Sequence, residues 1–325
     1  MFRRRLILTA PAAVLAAPAL AQNLGPWPNR PVRIVNPFAP GGTSDLIVRP
    51  LAARLEQVFG RPFVIDNRAG GGGSVGTAAV AAERPDGHTL LVSNTGPLAV
   101  APSLFPNLPY DPARAFTWIS MLGGAPIVCA VKGDGPIRSM ADYVAAAKAG
   151  VEAVSYGSSG VGSVGHLTGV LFAQEAGVRL LHAPFRGAGE AQQAVLSGNT
   201  TSLWDTSGAN AGAIRSGLLR GIAVSSPQRA AGLAEVPTLV ELGWPAAVST
   251  NWFVLAGPAG LDPAIATRLN EAVQAALAEP AARERLEGIG VVPLCDLSPE
   301  QIGGFVARER ARWSPIVQAA GVTPG

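Results

Sequence analysis

The sequence predicts an α/β protein of two lobes with a ligand cleft between them. Three observations carry this. Strand-like and helix-like segments alternate along the chain, the pattern of a mainly parallel sheet covered by helices. The 325 residues suit two lobes better than one core. Glycine- or hydroxyl-rich turns also follow strand-like runs at 37–45, 67–74, 93–96 and 156–163. In open α/β sheets, ligands bind at the carboxyl ends of strands, where such turns lie.

Composition narrows the class. Hydrophobic residues make up 48% of the chain and charged residues 14%, which describes a globular protein and excludes a disordered one. The formal charge is +3, but Arg3, Arg4 and Arg5 precede an apolar run from Leu6 to Leu20, and Ala19-Leu20-Ala21 is a small-x-small site. These are the marks of a secretory signal over residues 1–21, cleaved after Ala21 and too short to span a membrane. Residues 1–21 hold no acid, so 25 − 3 = 22 basic residues face 22 acidic ones in the mature chain. The basicity belongs to export, and no nucleic-acid partner is expected. Three arginines fit either the general secretory or the twin-arginine route. The remaining chain has no run of about 18 apolar residues and is expected to be soluble. Cys129 and Cys295 can pair or stay as buried thiols, and neither has metal-site spacing. No metal and no cofactor is expected.

Taken in order, Val32 to Val35 reads as a buried strand, and Leu46, Ile47, Leu51, Leu55 and Val58 form a stripe at helical spacing. Between them lies Pro37-Phe38-Ala39-Pro40-Gly41-Gly42-Thr43-Ser44-Asp45. Its glycines let a ligand approach the main chain, and the helix start offers unpaired N–H groups and partial positive charge. A carboxylate or phosphate fits there, although an ordinary capped βα turn has the same residues. Strands follow at 62–66 and 89–92, with a small-residue helix at 77–83 between them. Two further strands are expected at 118–122 and 126–131. The second half repeats the scheme with a helix at 140–148, a strand at 153–156, a helix at 164–175 and strands at 178–182, 201–204 and 221–225. A late strand at 252–256 leads back to the first lobe. Ile265, Leu269, Val273 and Leu277 mark a core-packed helix. Ser298-Pro299-Glu300-Gln301 is a capping box with proline at the first helical position, opening a last helix through Trp313.

Two motifs suggest chemistry and fail their context tests. Gly160-Val161-Gly162-Ser163-Val164-Gly165 follows a strand and opens a helix, but the next strand ends without the acid a dinucleotide site needs. Gly72-Gly73-Ser74-Val75-Gly76 matches a hydrolase elbow, yet the histidine base of that fold comes late and the last 140 or so residues contain none. His166 can donate to an anion or cap its own helix. Asp205 can accept from a ligand amine or brace the facing loops. Tyr156 and Phe38 can wall the site or pack in the core, and Arg186 can draw anions inward or simply face solvent.

Several motifs in order resemble the Bug family of extracytoplasmic solute receptors, the substrate-binding proteins of tripartite tricarboxylate transporters. They are Pro37-Phe38-x-x-Gly41-Gly42-x-x-Asp45, Asn67-Arg68-x-Gly70-x-Gly72, Leu108-Pro109-Tyr110-Asp111-Pro112, Tyr156-Gly157-Ser158-x-Gly160-x-Gly162-Ser163-x-x-His166-Leu167, His182-x-Pro184-Phe185-Arg186-Gly187 and Val236-Pro237-Thr238-x-x-Glu241-x-Gly243. The resemblance implies a two-lobed periplasmic-binding-protein fold of type II-like topology, with lobe I over 22–128 and 250–325 and lobe II over 129–249. It implies a small organic acid as ligand, membrane subunits of the transporter as partners, a periplasmic location, a monomer and no catalysis. The site it implies comprises Phe38, Gly41, Gly42, Thr43, Asp45, Asn94, Thr95, Tyr156, Ser158, Ser159, Gly162, Ser163, His166 and Asp205. A receptor that presents its ligand to a signalling partner is the alternative, with a secreted hydrolase a distant third. Two departures stand out. Pro50 falls inside the first helix, where a kink is expected, and Trp204 replaces a smaller aromatic, which is expected to narrow the pocket.

Overall fold

The computed structural model describes residues 27–150, 154–293 and 297–322. The expected signal peptide, Ala153 and Cys295 lie outside them. The first lobe opens with strand β1 (Val32–Asn36), helix α1 (Thr43–Phe59), β2 (Phe63–Asn67), α2 (Ser74–Ala81) and β3 (Thr89–Asn94). A π-helical turn at Gly96–Val100 leads into the short α3 (Ala101–Leu104) and then β4 (Phe116–Lys132). The second lobe follows with α4 (Met140–Ala149), β5 (Ser155–Ser158), α5 (Val164–Glu175), β6 (Leu181–Pro184), α6 (Ala188–Leu196), β7 (Ser202–Thr206), α7 (Ser207–Arg215) and β8 (Leu219–Val224). The chain returns through β9 (Thr250–Pro258) and closes with α8 (Pro263–Ala278), α9 (Pro280–Gly288) and α10 (Pro299–Ala319).

The strands form one curled sheet in the order β2-β1-β3-β9-β4-β7-β5-β6, with β8 on β4. β1 pairs in parallel with β2 and β3, and β5 with β6 and β7, while β4 and β9 run antiparallel to their neighbours. β4 carries the chain between lobes. It pairs with β9 from Phe116 to Pro126, and with β7 from Ile127 to Val131. The sequence suggests two strands here, broken at Gly123-Gly124. The structure has a single strand that absorbs the glycines as register shifts, with Gly123 at φ 152°, a conformation glycine adopts without strain.

Other differences are local. β6 begins three residues later than the apolar run from Val178, because Gly177 turns left-handed and the Val178 N–H closes back on the Ala173 carbonyl. α7 and α9 carry too few apolar residues to show a stripe and become helices by packing. α1 continues through Pro50. The core of lobe I sets Ile47, Leu51 and Leu55 of α1 and Leu269 and Val273 of α8 against Ile34, Leu90 and Leu255. In lobe II, Val128, Leu203 and Val224 pack under Ala191 and Ala211. Among the described residues, no helix is long and apolar enough to cross a membrane.

Candidate ligand-binding cleft

Four helices begin at one place. Gly42 and Thr43 start α1, Ser163 and Val164 start α5, Gly187 and Ala188 start α6, and Thr206 and Ser207 start α7. One chamber of about 30 Å³ is lined by Gly42, Thr43, Ser163, Val164, Ala188 and Thr206 from these starts. Each start carries unpaired N–H groups and partial positive charge, so the convergence offers an anion donors drawn mainly from backbone.

The turns explain how the helices arrive there. Gly41 holds φ at 84°, and its N–H donates to Asp45 Oδ2 at 3.0 Å. The same oxygen accepts from Arg49 Nε at 2.8 Å. The acid in the first turn of α1 is therefore committed to the turn and to Arg49. Ser163 Oγ caps α5 by accepting the His166 N–H at 3.3 Å. Gly165 lets α5 press on β7, since a Cβ there would lie 2.0 Å from the Trp204 carbonyl oxygen.

Of the residues singled out in the sequence, Phe38, Gly42, Thr43, Asn94, Ser159, Ser163 and Asp205 line this chamber. Gly41, Asp45, Thr95, Tyr156, Ser158, Gly162 and His166 do not, and each has another task. Thr95 Oγ1 accepts the Trp252 N–H at 3.0 Å and ties β3 to β9. Tyr156 is buried beneath the turn and its hydroxyl donates to the His166 carbonyl at 3.1 Å. Ser158 Oγ bonds to His182 Nε2 at 2.8 Å and accepts from Ser163 Oγ at 3.2 Å. His166 stacks on His182 with ring centroids 3.8 Å apart, and its Nδ1 accepts the Gly162 N–H at 3.2 Å. Burial pushes His166 down to about 4. Burial, aided by His166, pushes His182 down to about 3.

Asp205 faces the chamber but is already used. Its carboxylate accepts from Ser159 Oγ through a very short bond and from the Thr206 N–H at 2.6 Å. Burial raises its pKa, and these donors oppose the rise. It braces the β5–α5 turn against β7. Trp204, expected to narrow the pocket, does not reach it. Its indole packs on Phe172 at 5.0 Å and donates to Tyr143 Oη at 3.3 Å, because successive strand residues point to opposite faces.

The expected site residues did not include Ala39, Ser44, Val164, Ala188, Thr206, Asn251 and Phe253. Thr206 had a signal, being a hydroxyl at a strand end. Asn251 and Phe253 had none, since they sit within β9 and reach the site by pairing beside β3, with Phe253 opposite Asn94. A second cavity of about 390 Å³ shares Ser159 with the chamber and is lined by Gly70 to Gly73 and Arg186 among others. At the hydrolase-elbow motif, Ser74 Oγ donates to the Gly71 carbonyl. The three histidines are committed to Asp86 or to each other and to Ser158.

A curled sheet in two halves, closing helix starts around one chamber, defines a two-lobed solute receptor of the periplasmic-binding-protein class. A family model described as the tripartite tricarboxylate transporter family receptor matches residues 47–322. The chain belongs to that family. It is 36% identical over 310 residues to the protein BugT of Bordetella pertussis, covering 95% of this chain and 94% of that one. It also resembles an R. palustris protein solved with adipate, with a TM-score of 0.88 at 33% identity, covering 92% of this chain and 100% of that one. A Rhodopseudomonas palustris protein with bound malate aligns with a TM-score of 0.85 at 30% identity, covering 90% and 100%.

Proposed function

We propose that this chain is an exported receptor that closes on a small organic carboxylate and delivers it to the membrane subunits of a tripartite tricarboxylate-type transporter. The observation that carries the reading is the convergence of four helix starts on one chamber. Adipate and malate in two structural relatives support the ligand class. Phe38, Gly42, Thr43, Asn94, Ser159 and Ser163 contact the acid, while Gly41, Asp45, Thr95, Tyr156, Ser158, Gly162, His166 and Asp205 hold the turns. The lobes divide at 128/129 and 249/250 and hinge where β4 and β9 cross. The receptor acts as a periplasmic monomer after cleavage at Ala21.

The energetics are sufficient. A charge-assisted hydrogen bond contributes roughly 1.5–3 kcal/mol, and micromolar binding needs about 8 kcal/mol. Four or five main-chain and hydroxyl donors reach that without an arginine clamp.

Thermal shift on protein stripped of endogenous ligand tests this. A ligand at about 100 times its dissociation constant adds roughly 2.7 kcal/mol, worth several degrees, at somewhat less per kcal/mol than the about 2–4 °C of a chain of roughly 150–250 residues. Among mono-, di- and tricarboxylates, at least one acid is expected to give such a rise, and its amide or methyl ester much less. Equal shifts from acids and neutral analogues would overturn the carboxylate reading.

A further inference from the structure

The chamber has an acceptor wall as well as a donor wall. Asn94 Oδ1 accepts the Gly96 N–H at 3.1 Å, which leaves its Nδ2 as a donor beside the helix starts. Beside it, on the neighbouring strand β9, Asn251 is 6% exposed, and its Nδ2 donates to Thr206 Oγ1 at 3.0 Å. The Asn251 Oδ1 is then left as an acceptor. It is buried and has no protein partner, in a residue that lines the chamber.

A buried acceptor without a donor is costly, and it becomes useful where a ligand supplies the donor. Plain carboxylates offer only acceptors. We propose that this receptor selects acids that carry a hydrogen-bond donor, a hydroxyl or an ammonium, close to the carboxylate, with that donor seated on Asn251 Oδ1. The proposal rests on the carboxylate reading above and adds to it the class of acid. It makes Asn251 the specificity-determining residue, placed by β9 opposite the helix starts.

Calorimetry on stripped mature protein with matched pairs tests it, using lactate against propionate, malate against succinate, and glutamate against glutarate. In at least one pair the donor-bearing acid is expected to bind at least tenfold tighter than its plain partner. The three pairs also separate hydroxyl from ammonium as the preferred donor. Asn251→Ala is expected to bring that ratio close to one, by weakening the donor-bearing acid more than its plain partner. Plain acids that bind the unmodified protein as tightly as their partners would overturn the proposal and leave the carboxylate reading standing. A ratio that survives in Asn251→Ala would overturn the role of Asn251. Should no acid of any pair bind, this proposal fails, and the wider acid panel against its neutral analogues decides the carboxylate reading separately.

Discussion

Thr43 Oγ1, at the start of α1, accepts the backbone N–H of Ala209, in the first turn of α7, at 2.9 Å. The bond ties the start of α1 to the start of α7 beside the chamber. Both helix starts are electropositive, so their approach is opposed by their own fields until an anion lies between them. Gly208 makes the approach possible, since a Cβ there would lie 2.7 Å from Thr43 Cγ2.

Gly208→Ala therefore separates folding from closure. The position is helical, and alanine is favoured over glycine in helices by up to about 1 kcal/mol. The melting temperature of the unliganded protein is expected to hold within a few degrees. The extra methyl props α7 off α1, and affinity for the best acid is expected to fall about tenfold or more by calorimetry. Unchanged affinity would show that this contact takes no part in closure.

Gly42→Val tests the floor of the chamber. Gly42 has φ −70° and ψ 167°, which any residue adopts. A Cβ there meets only the Ala39 carbonyl oxygen, at 3.6 Å. Valine fits the backbone, but its methyl groups occupy space the ligand needs. Loss of binding with nearly wild-type circular dichroism is expected, and wild-type binding would remove this turn from the site.

The stacked histidines set a pH dependence. Their folded values, about 4 for His166 and about 3 for His182, lie below the unfolded value near 6.5. The unfolded chain binds more protons between these limits, so stability is complete above about pH 6.5 and falls as pH drops toward 4. A tenfold difference in proton affinity between the folded and unfolded chain is worth about 1.4 kcal/mol, so the pair together loses several kcal/mol. The melting temperature is expected to drop between pH 7 and pH 4.5. His182→Gln, which keeps a polar partner for Ser158 Oγ, is expected to flatten that slope. A slope unchanged in the variant would place the acid sensitivity elsewhere.

Much of the fold was legible because its signals are local. The stripe of Ile47, Leu51 and Leu55 marks α1, and the Ser298 box marks the start of α10. The glycine turns also announced where the strands end. Elements without a local signal were invisible. α7, with the sequence Ser-Gly-Ala-Asn-Ala-Gly-Ala-Ile-Arg, carries no apolar stripe, yet its start forms one wall of the chamber.

The sequence by itself determined the α/β class and the glycine turns at the strand ends, because glycines, caps and apolar periods act on their own neighbourhood, and its motifs in order carried the resemblance to the receptor family. Only the tertiary structure decided which side chains of those turns face the chamber. Ser159 looks in, while Ser158, one residue earlier, is drawn beneath by His182. His166 turns away to stack on a ring supplied by β6. Asn251 arrives from β9, more than 150 residues beyond the Asn94 with which it lines the chamber. A hydroxyl, imidazole or amide is committed by the partner that distant chain brings to it, and that partner exists only once the lobes have folded together.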